Sequence, residues 1–427
     1  MPSMTKEAEI DRLALKLAKL VGIFRQGGKA NDFHWWNENS PRSIFYPIYG
    51  YQDGQPLFEE VVQGVLKLNS EMLSEHEIET KIMFDFLQTQ TISWTKEKHL
   101  NDQSLVDEAK QHVHKLVEFQ AWQDVDISIG SFQLQGSPVK IGNVTFMRIT
   151  EQGLELWKRE LGVLWDSKTK DGLVVARVRA PGDQYKALSY AETCVNQALD
   201  VFRAFCFPFA ILSPIGRSNS WQVEIGYIRP SSSTPIRIGN SFSAMLGAGS
   251  TQIELRKNVF SKLEQPQWKA IDKLILKKQP GEMESKLLNS IHWLSESTKP
   301  DTKKSKFIKI CVALETLLGG EPKDEELKAR GITTMLAERA AFIAGTSLDD
   351  RSAIDKDIRN YYSMRSKIIH RGAGDVSLDD IEKFGMLVRR LALSLLRKLD
   401  ELGTEINNIG KLEIWIKKQK YTIPEKE

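Results

Sequence analysis

Asp357-Ile358-Arg359-Asn360-Tyr361-Tyr362-Ser363-Met364-Arg365-Ser366-Lys367-Ile368-Ile369-His370-Arg371-Gly372 is the stretch on which the reading of this chain turns. It falls in a helix expected over residues 353–370. At about 100° per residue and with Ile354 at zero, Ile358 falls at about 40°, Ile369 at about 60°, Tyr362 at about 80° and Tyr361 at about 340°. These side chains make one apolar stripe. Arg365 falls at about 20°, in the middle of that stripe, and a guanidinium so placed must be paired or must line a cleft. His370 falls at about 160°, off the stripe, as long as the helix stays ideal. Gly372 and Gly374 mark the end of the helix, so His370 sits in the last turn, where the macrodipole favours an imidazolium. Of the seven histidines, His370 alone lies among basic residues at an expected helix end. Arg359, at about 140°, shares the His370 side of the wheel, and Arg371 follows it directly. Each is either a phosphate contact or a solvated charge. Tyr362 is a core residue or a base-stacking one.

Working outward, the chain after about residue 265 reads as successive helices over 266–277, 284–297, 303–318, 326–344, 353–370 and 378–402. Ser377-Leu378-Asp379-Asp380 has the form of a capping box and opens the last of them. In 303–318, Phe307, Ile310, Cys311, Leu314 and Leu318 form the apolar stripe, with Glu315 at its edge. In 326–344, Ile332, Leu336 and Ile343 flank Arg339. Buried charges need partners, so Glu315 is expected to pair with Arg365 or Arg339 and to orient the site, or else to form an ordinary ion pair. Upstream the pattern is mixed. Ile10, Leu13, Leu17, Leu20, Val21 and Phe24 predict a helix ending near Gly27-Gly28, and residues 103–120 another. Residues 31–60 read as loops with short extended pieces. Val125–Ile149 alternates and is broken by Gly136-Ser137-Pro138 and Gly142-Asn143, which predicts a β-meander. Val174–Val178 and Val223–Ile228 read as strands, and 185–207 as a helix. The fold class is therefore α+β. A mixed region over 1–265, with a possible subdivision near 124, precedes an all-helical domain over 281–405 and a C-terminal extension over 406–427. Pro280-Gly281 marks the linker.

Composition excludes several classes. The chain has 427 residues, 41% hydrophobic and 27% charged, enough for two or three packed domains and too apolar for general disorder. Lys and Arg total 59 against 56 for Asp and Glu, so the net charge of +3 argues against a bulk polyanion binder but not against a local basic site. Cys194, Cys206 and Cys311 are widely spaced and odd in number; they read as small buried hydrophobes, not as a disulfide framework or a zinc site. The charged start (Lys6, Glu7, Glu9, Asp11, Arg12) does not read as a secretory signal, and no long apolar run predicts a membrane span. A cytoplasmic location is the expectation. Lys303, Lys304, Lys306 and Lys309 form a solvated face or an RNA-steering one. His112 and His114 point to different sides of a helix, which is poor metal spacing. Phe33-His34-Trp35-Trp36 reads as packing before base stacking. Leu246-Gly247-Ala248-Gly249-Ser250 lacks the Walker lysine, and no nucleophile elbow occurs.

An Arg near a His suits a phosphodiester. The guanidinium binds phosphate and stabilises developing charge, while the imidazole exchanges protons near neutral pH. In RNA the 2′-hydroxyl beside the scissile phosphate can attack, so no metal is required and DNA is spared. Arg and His five residues apart also recur by chance, as an ion-pair partner and a helix-end charge.

Here the residues resemble those of a known family. Tyr362-Ser363-Met364-Arg365-Ser366-Lys367-Ile368-Ile369-His370 resembles the Tyr-x-x-Arg-Ser-Lys-hydrophobic-hydrophobic-His stretch of the HEPN domain in its Apea-like branch. Phe307-Ile308 through Ala313-Leu314-Glu315-Thr316-Leu317-Leu318-Gly319 resembles that family's earlier helix with its embedded Glu. The resemblance spans 281–405, about a third of the chain. It implies a helical bundle that dimerises, two motif copies facing each other across one composite ribonuclease cleft. It implies Arg365 and His370 as the catalytic pair; Glu315, Arg359, Tyr362, Ser366 and Arg371 stand beside them, on the reading of the residues themselves, as supporting or RNA-binding candidates. No metal and no cofactor are expected. The implied partners are RNA, a second copy of the chain and a phage or cellular trigger sensed by the N-terminal region, in antiviral defence or toxin-like growth arrest. The alternative is a non-catalytic HEPN module for dimerisation or for binding a nucleotide or RNA.

Overall fold

A computed structural model describes residues 5–27, 54–90, 102–129, 132–134, 138–149, 152, 174–206, 234–238, 241–245, 253–255, 266–299, 301–320, 331–371 and 374–421. Their helices are α1 (Lys6–Gly27), α2 (Gly54–Asn69), α3 (Glu75–Thr80), α4 (Asp102–Val117), α5 (Gln184–Val201), α6 (Pro266–Ile275), α7 (Glu282–Thr298), α8 (Lys303–Leu318), α9 (Ile332–Ala344), α10 (Leu348–Arg371), α11 (Leu378–Leu402) and α12 (Ile409–Tyr421). π-Helical stretches, Lys81–Gln88 and Phe202–Cys206, continue α3 and α5. The strands are β1 (Trp122–Ser128), β2 (Phe132–Leu134), β3 (Val139–Ile141), β4 (Val144–Arg148), β5 (Val174–Pro181), β6 (Thr234–Ile238), β7 (Ser241–Met245) and β8 (Ile253–Leu255). The α+β class is as expected, and none of the described helices is long and apolar enough to cross a membrane.

The chain divides into two compact units. One holds 1–125, 179–192 and 238–241; the other holds 126–178, 193–237 and 242–427. The second therefore takes in strand segments along with all the C-terminal helices, a wider grouping than a helical domain beginning at 281.

The alternation over 125–149 yields strands, and the meander is formed by β3, β4 and β5, with β1 and β2 outside it. β3 and β4 form an antiparallel hairpin through Gly142-Asn143, with Ile141 opposite Val144, and β4 pairs antiparallel with β5. Gly142 has φ of 57°, a conformation that favours glycine in a two-residue hairpin loop. The six-stranded sheet runs β3-β4-β5-β1-β6-β7, so β5 comes between β4 and β1. β2 leaves this sheet and pairs in parallel with β8. Period-two patterning sets which face is buried and says nothing of which strand is the neighbour. The expected strand at 223–228, the aromatic cluster at 33–36 and the small-residue stretch at 246–250 lie outside the described residues.

Three helices escape the sequence reading, and α3 is one of them, in a stretch where no element was expected. α2 overlaps the segment expected to be loop, where Gly54 and Pro56 look like turn punctuation. Proline in a first helical turn costs little, because its missing N–H had no intrahelical partner there. Phe58, Val61, Val62 and Val65 then bury one face. α12 lies in the stretch read as an extension. Its Leu412 and Ile416 are buried with Ile406 in the bundle core, while Ile414 faces solvent. Only two buried positions in thirteen residues leave too weak a period to recognise.

In the second unit Phe307, Phe384 and Tyr361 form an aromatic group, with Tyr361 stacked on Phe384 at 4.4 Å between ring centroids. The capping box of α11 forms: Ser377 Oγ accepts the Asp380 N–H at 3.0 Å, and Asp380 Oδ2 accepts the Ser377 N–H at 3.0 Å.

The first unit buries Leu13, Leu17, Val61, Ile78, Ala109 and Val113 in a common core. His112 packs there with its ring 5.0 Å from that of Phe86, and burial pushes its imidazole down to about 4. The unfolded chain protonates this group near the ordinary 6.5 and so binds more protons below that pH. Stability is therefore expected to fall as pH drops from about 6.5 to about 4, by about 2–3 kcal/mol from this group. Urea midpoints at pH 7 and pH 4.5 for wild type and His112→Phe test this. The variant should lose less stability than wild type on acidification; an equal loss refutes the assignment.

Candidate functional site

Helix α10 buries Ile354, Ile358 and Tyr362, spaced four apart, and these three lie in the same core as α8 and α11. The buried stripe ends there. Ile369, expected to continue it, is 47% exposed, and Ser366 is exposed as well. Met364 and Ile368 remain partly buried against the core. The last two turns thus carry the motif at the margin of the bundle, where side chains can be both anchored and reachable.

Arg365 lies at this margin with 30% of its side chain exposed. Glu315 of α8 meets it: Arg365 Nη2 lies 3.1 Å from Glu315 Oε1. The same oxygen accepts a hydrogen bond from the Tyr362 hydroxyl at 3.1 Å. Of the two partners expected for Glu315, the structure selects Arg365. Tyr362 is buried, and burial together with the Glu315 charge pushes its phenol well above the usual range, so it remains a donor. Its ring also lies 5.8 Å from Arg365 Cζ, within the range of a cation–π contact. Arg365 Nε is buried with no partner among the described residues. The guanidinium is therefore fixed through Nη2 and through the ring, without all five of its donors being used. Cys311, one turn before Glu315, is buried with its thiol pushed up to about 12 by desolvation, which leaves it protonated and unreactive.

His370 is exposed. Helix α10 continues without a break through Arg371, so His370 follows Arg365 by about 7.5 Å along the axis and about 140° around it. No distortion at the helix end brings the pair together. Within a single chain the two side chains diverge.

Other expected members fare differently. Arg359 is exposed, but Asp355 holds its fork through Nε at 2.7 Å and Nη2 at 3.1 Å, and Nη1 donates to Thr334 Oγ1 at 3.2 Å. Its guanidinium is anchored at the surface. The Arg371 side chain lies outside the described residues. Arg339 is buried but does not serve Glu315. It pairs with Glu413 of α12, and its Nη1 donates to the Leu318 carbonyl at 2.5 Å. Glu413 escapes a sequence reading because α12 itself does. In the lysine run, Lys309 is tied to Asp301 at 2.9 Å. Cys194 is half-buried, short of the fully buried position expected for it. Among the described residues no group of His, Cys, Asp and Glu is placed to hold a metal ion.

Comparison with family models, curated proteins and solved structures finds no match in any of the three.

The shared Glu315 oxygen makes a thermodynamic prediction. Glu315→Ala leaves the buried Tyr362 hydroxyl without its acceptor and should cost about 1–3 kcal/mol. Adding Tyr362→Phe should recover part of that loss, because the orphaned hydroxyl is gone. Urea unfolding of the two single variants and the double variant measures the coupling, expected at about 0.5–3 kcal/mol. Strict additivity would show that the hydrogen bond contributes nothing.

Proposed function

We propose that this chain is a metal-independent endoribonuclease of the HEPN type, working as a symmetric dimer in the cytoplasm. The observation that carries the reading is the Glu315–Arg365–Tyr362 array: a guanidinium held in place yet 30% exposed, with an exposed histidine five residues on. An apolar side chain would pack the stripe as well or better, so an arginine oriented there by a carboxylate reads as one kept for a ligand. The divergence of Arg365 and His370 on an unbroken helix supports the dimer. A second copy related by a two-fold axis supplies an imidazole opposite the first, so that one cleft holds two arginines and two histidines.

In the proposed reaction one His370 takes the proton from the ribose 2′-hydroxyl as its oxygen attacks phosphorus. The bond from phosphorus to the 5′-oxygen breaks, and the other His370 protonates the leaving oxygen. Arg365 binds the phosphate and neutralises the charge that builds on it. The products are a 2′,3′-cyclic phosphate and a 5′-hydroxyl. Ser366, exposed one residue after Arg365, is an RNA contact in this scheme. The setting proposed is prokaryotic antiviral defence or toxin-like growth arrest, with the N-terminal region sensing a phage or cellular trigger.

A second reading has its own observation. Arg365 already satisfies Glu315 inside one chain, as it would in a non-catalytic module that dimerises or binds a nucleotide or RNA.

RNA cleavage in EDTA separates the two. Wild type should cut, His370→Ala should lower the rate by about 10²–10⁴-fold, and Arg365→Ala by about 10²-fold or more. Glu315→Gln should cut more slowly than wild type but faster than Arg365→Ala. Equal cleavage by wild type, His370→Ala and Arg365→Ala would end the catalytic reading, and a metal requirement would end the mechanism.

A further inference from the structure

A second polar cluster lies where α5 meets α7. Asp200, in the last turn of α5, is 13% exposed and has both carboxylate oxygens occupied. His292 Nδ1 lies 2.8 Å from Oδ2, Ser295 Oγ donates to Oδ1 at 2.6 Å, and Arg203 Nη1 donates to Oδ1 at 3.3 Å. A carboxylate only accepts, so the His292 proton facing it is on Nδ1 and Nε2 is left for another partner. The His292 side chain is 53% exposed, and Arg203 is 4% exposed.

His292 and Asp200 line a cavity of about 190 Å³. Gln197 precedes Asp200 by one turn and Asn289 precedes His292 by one turn, and both residues line the same cavity. Val201, Ile275, Leu288 and Ile291 form its apolar part. Pockets for drug-sized ligands run to roughly 300–1,000 Å³, so this one suits only a few heavy atoms.

We propose that this groove binds a small carboxylate with a short aliphatic body, the carboxylate held by His292 Nε2–H and by the side-chain amides of Gln197 and Asn289. The charge around the dyad favours it. Asp200 is engaged by three donors, two of them cationic once the imidazole is protonated, so its own charge is screened from a ligand at Nε2. Asp200 raises the His292 pKa and so favours the imidazolium. Glu296 and Lys299, the other charges acting on His292, pair with each other. The aliphatic lining gives the ligand body a surface that a bare inorganic anion would leave in water. None of this rests on the Arg365 chemistry.

The test uses the full chain with ring-¹⁵N histidine, whose seven residues give a spectrum simple enough to follow. His292→Gln identifies the His292 signals. Butyrate should move them saturably, and butyramide and inorganic phosphate should bind at least tenfold more weakly. Asn289→Leu and Gln197→Leu change exposed side chains outside the core, and each should weaken butyrate at least tenfold. No saturable shift, equal affinity for butyrate and butyramide, or unchanged affinity in both variants would overturn the proposal. RNA cleavage measured alongside should be the same in both variants as in wild type, which keeps this outcome separate from the fate of the ribonuclease reading.

Discussion

One carboxylate oxygen, Oε1 of Glu315, takes a hydrogen bond from Tyr362 and an ion pair from Arg365. These donors lie three residues apart on α10, so they sit on one side of the helix and can reach a single acceptor on α8. The pair is not what holds the helices together. Phe307, Leu314, Ile358 and Phe384 are fully buried, and their apolar area outweighs one partly exposed ion pair. What the carboxylate adds is direction. Long side chains at a helix margin otherwise sample many rotamers, and this contact confines a guanidinium to one region at the edge of the bundle.

The same constraint explains why α10 needs its length. Its first four turns are fixed by Ile354, Ile358 and Tyr362, and the motif is carried on turns that extend from this buried base. A rigid helix holds residues five apart on different sides, so Arg365 and His370 cannot be made to converge by local adjustment while the helix stays intact. A dimer resolves this in the proposed ribonuclease by supplying the opposing imidazole from a second chain.

Charge is handled differently at Arg339 and Arg365. Arg339 is 2% exposed and is consumed by Glu413 and the end of α8, which ties α12 to the bundle. Arg365 is half-buried and has donors left over. Both lie in apolar helical stripes and look alike in the linear sequence. The net charge of +3 averages over such differences and describes neither.

Much of the helical half was readable because 3.6-residue patterns, capping boxes and turn residues are local signals. The bounds of α8 and α11 match the expected ones, and the rule that charge within an apolar stripe needs a partner narrows Glu315 to Arg365 or Arg339. The strands of 122–148 were readable for the same reason. Which strand lies beside which was not, because period two is the same for every neighbour. Nor was α12, whose two buried residues become recognisable only against the core they fill. The sequence by itself determined the α+β class, the run of C-terminal helices and the placing of Arg365 within an apolar stripe. Tertiary structure alone decided that Glu315 chooses Arg365 over Arg339, that Asp355 occupies Arg359, and that β5 separates β4 from β1. Partner choice depends on distances between segments far apart in the chain, and no local pattern encodes those distances.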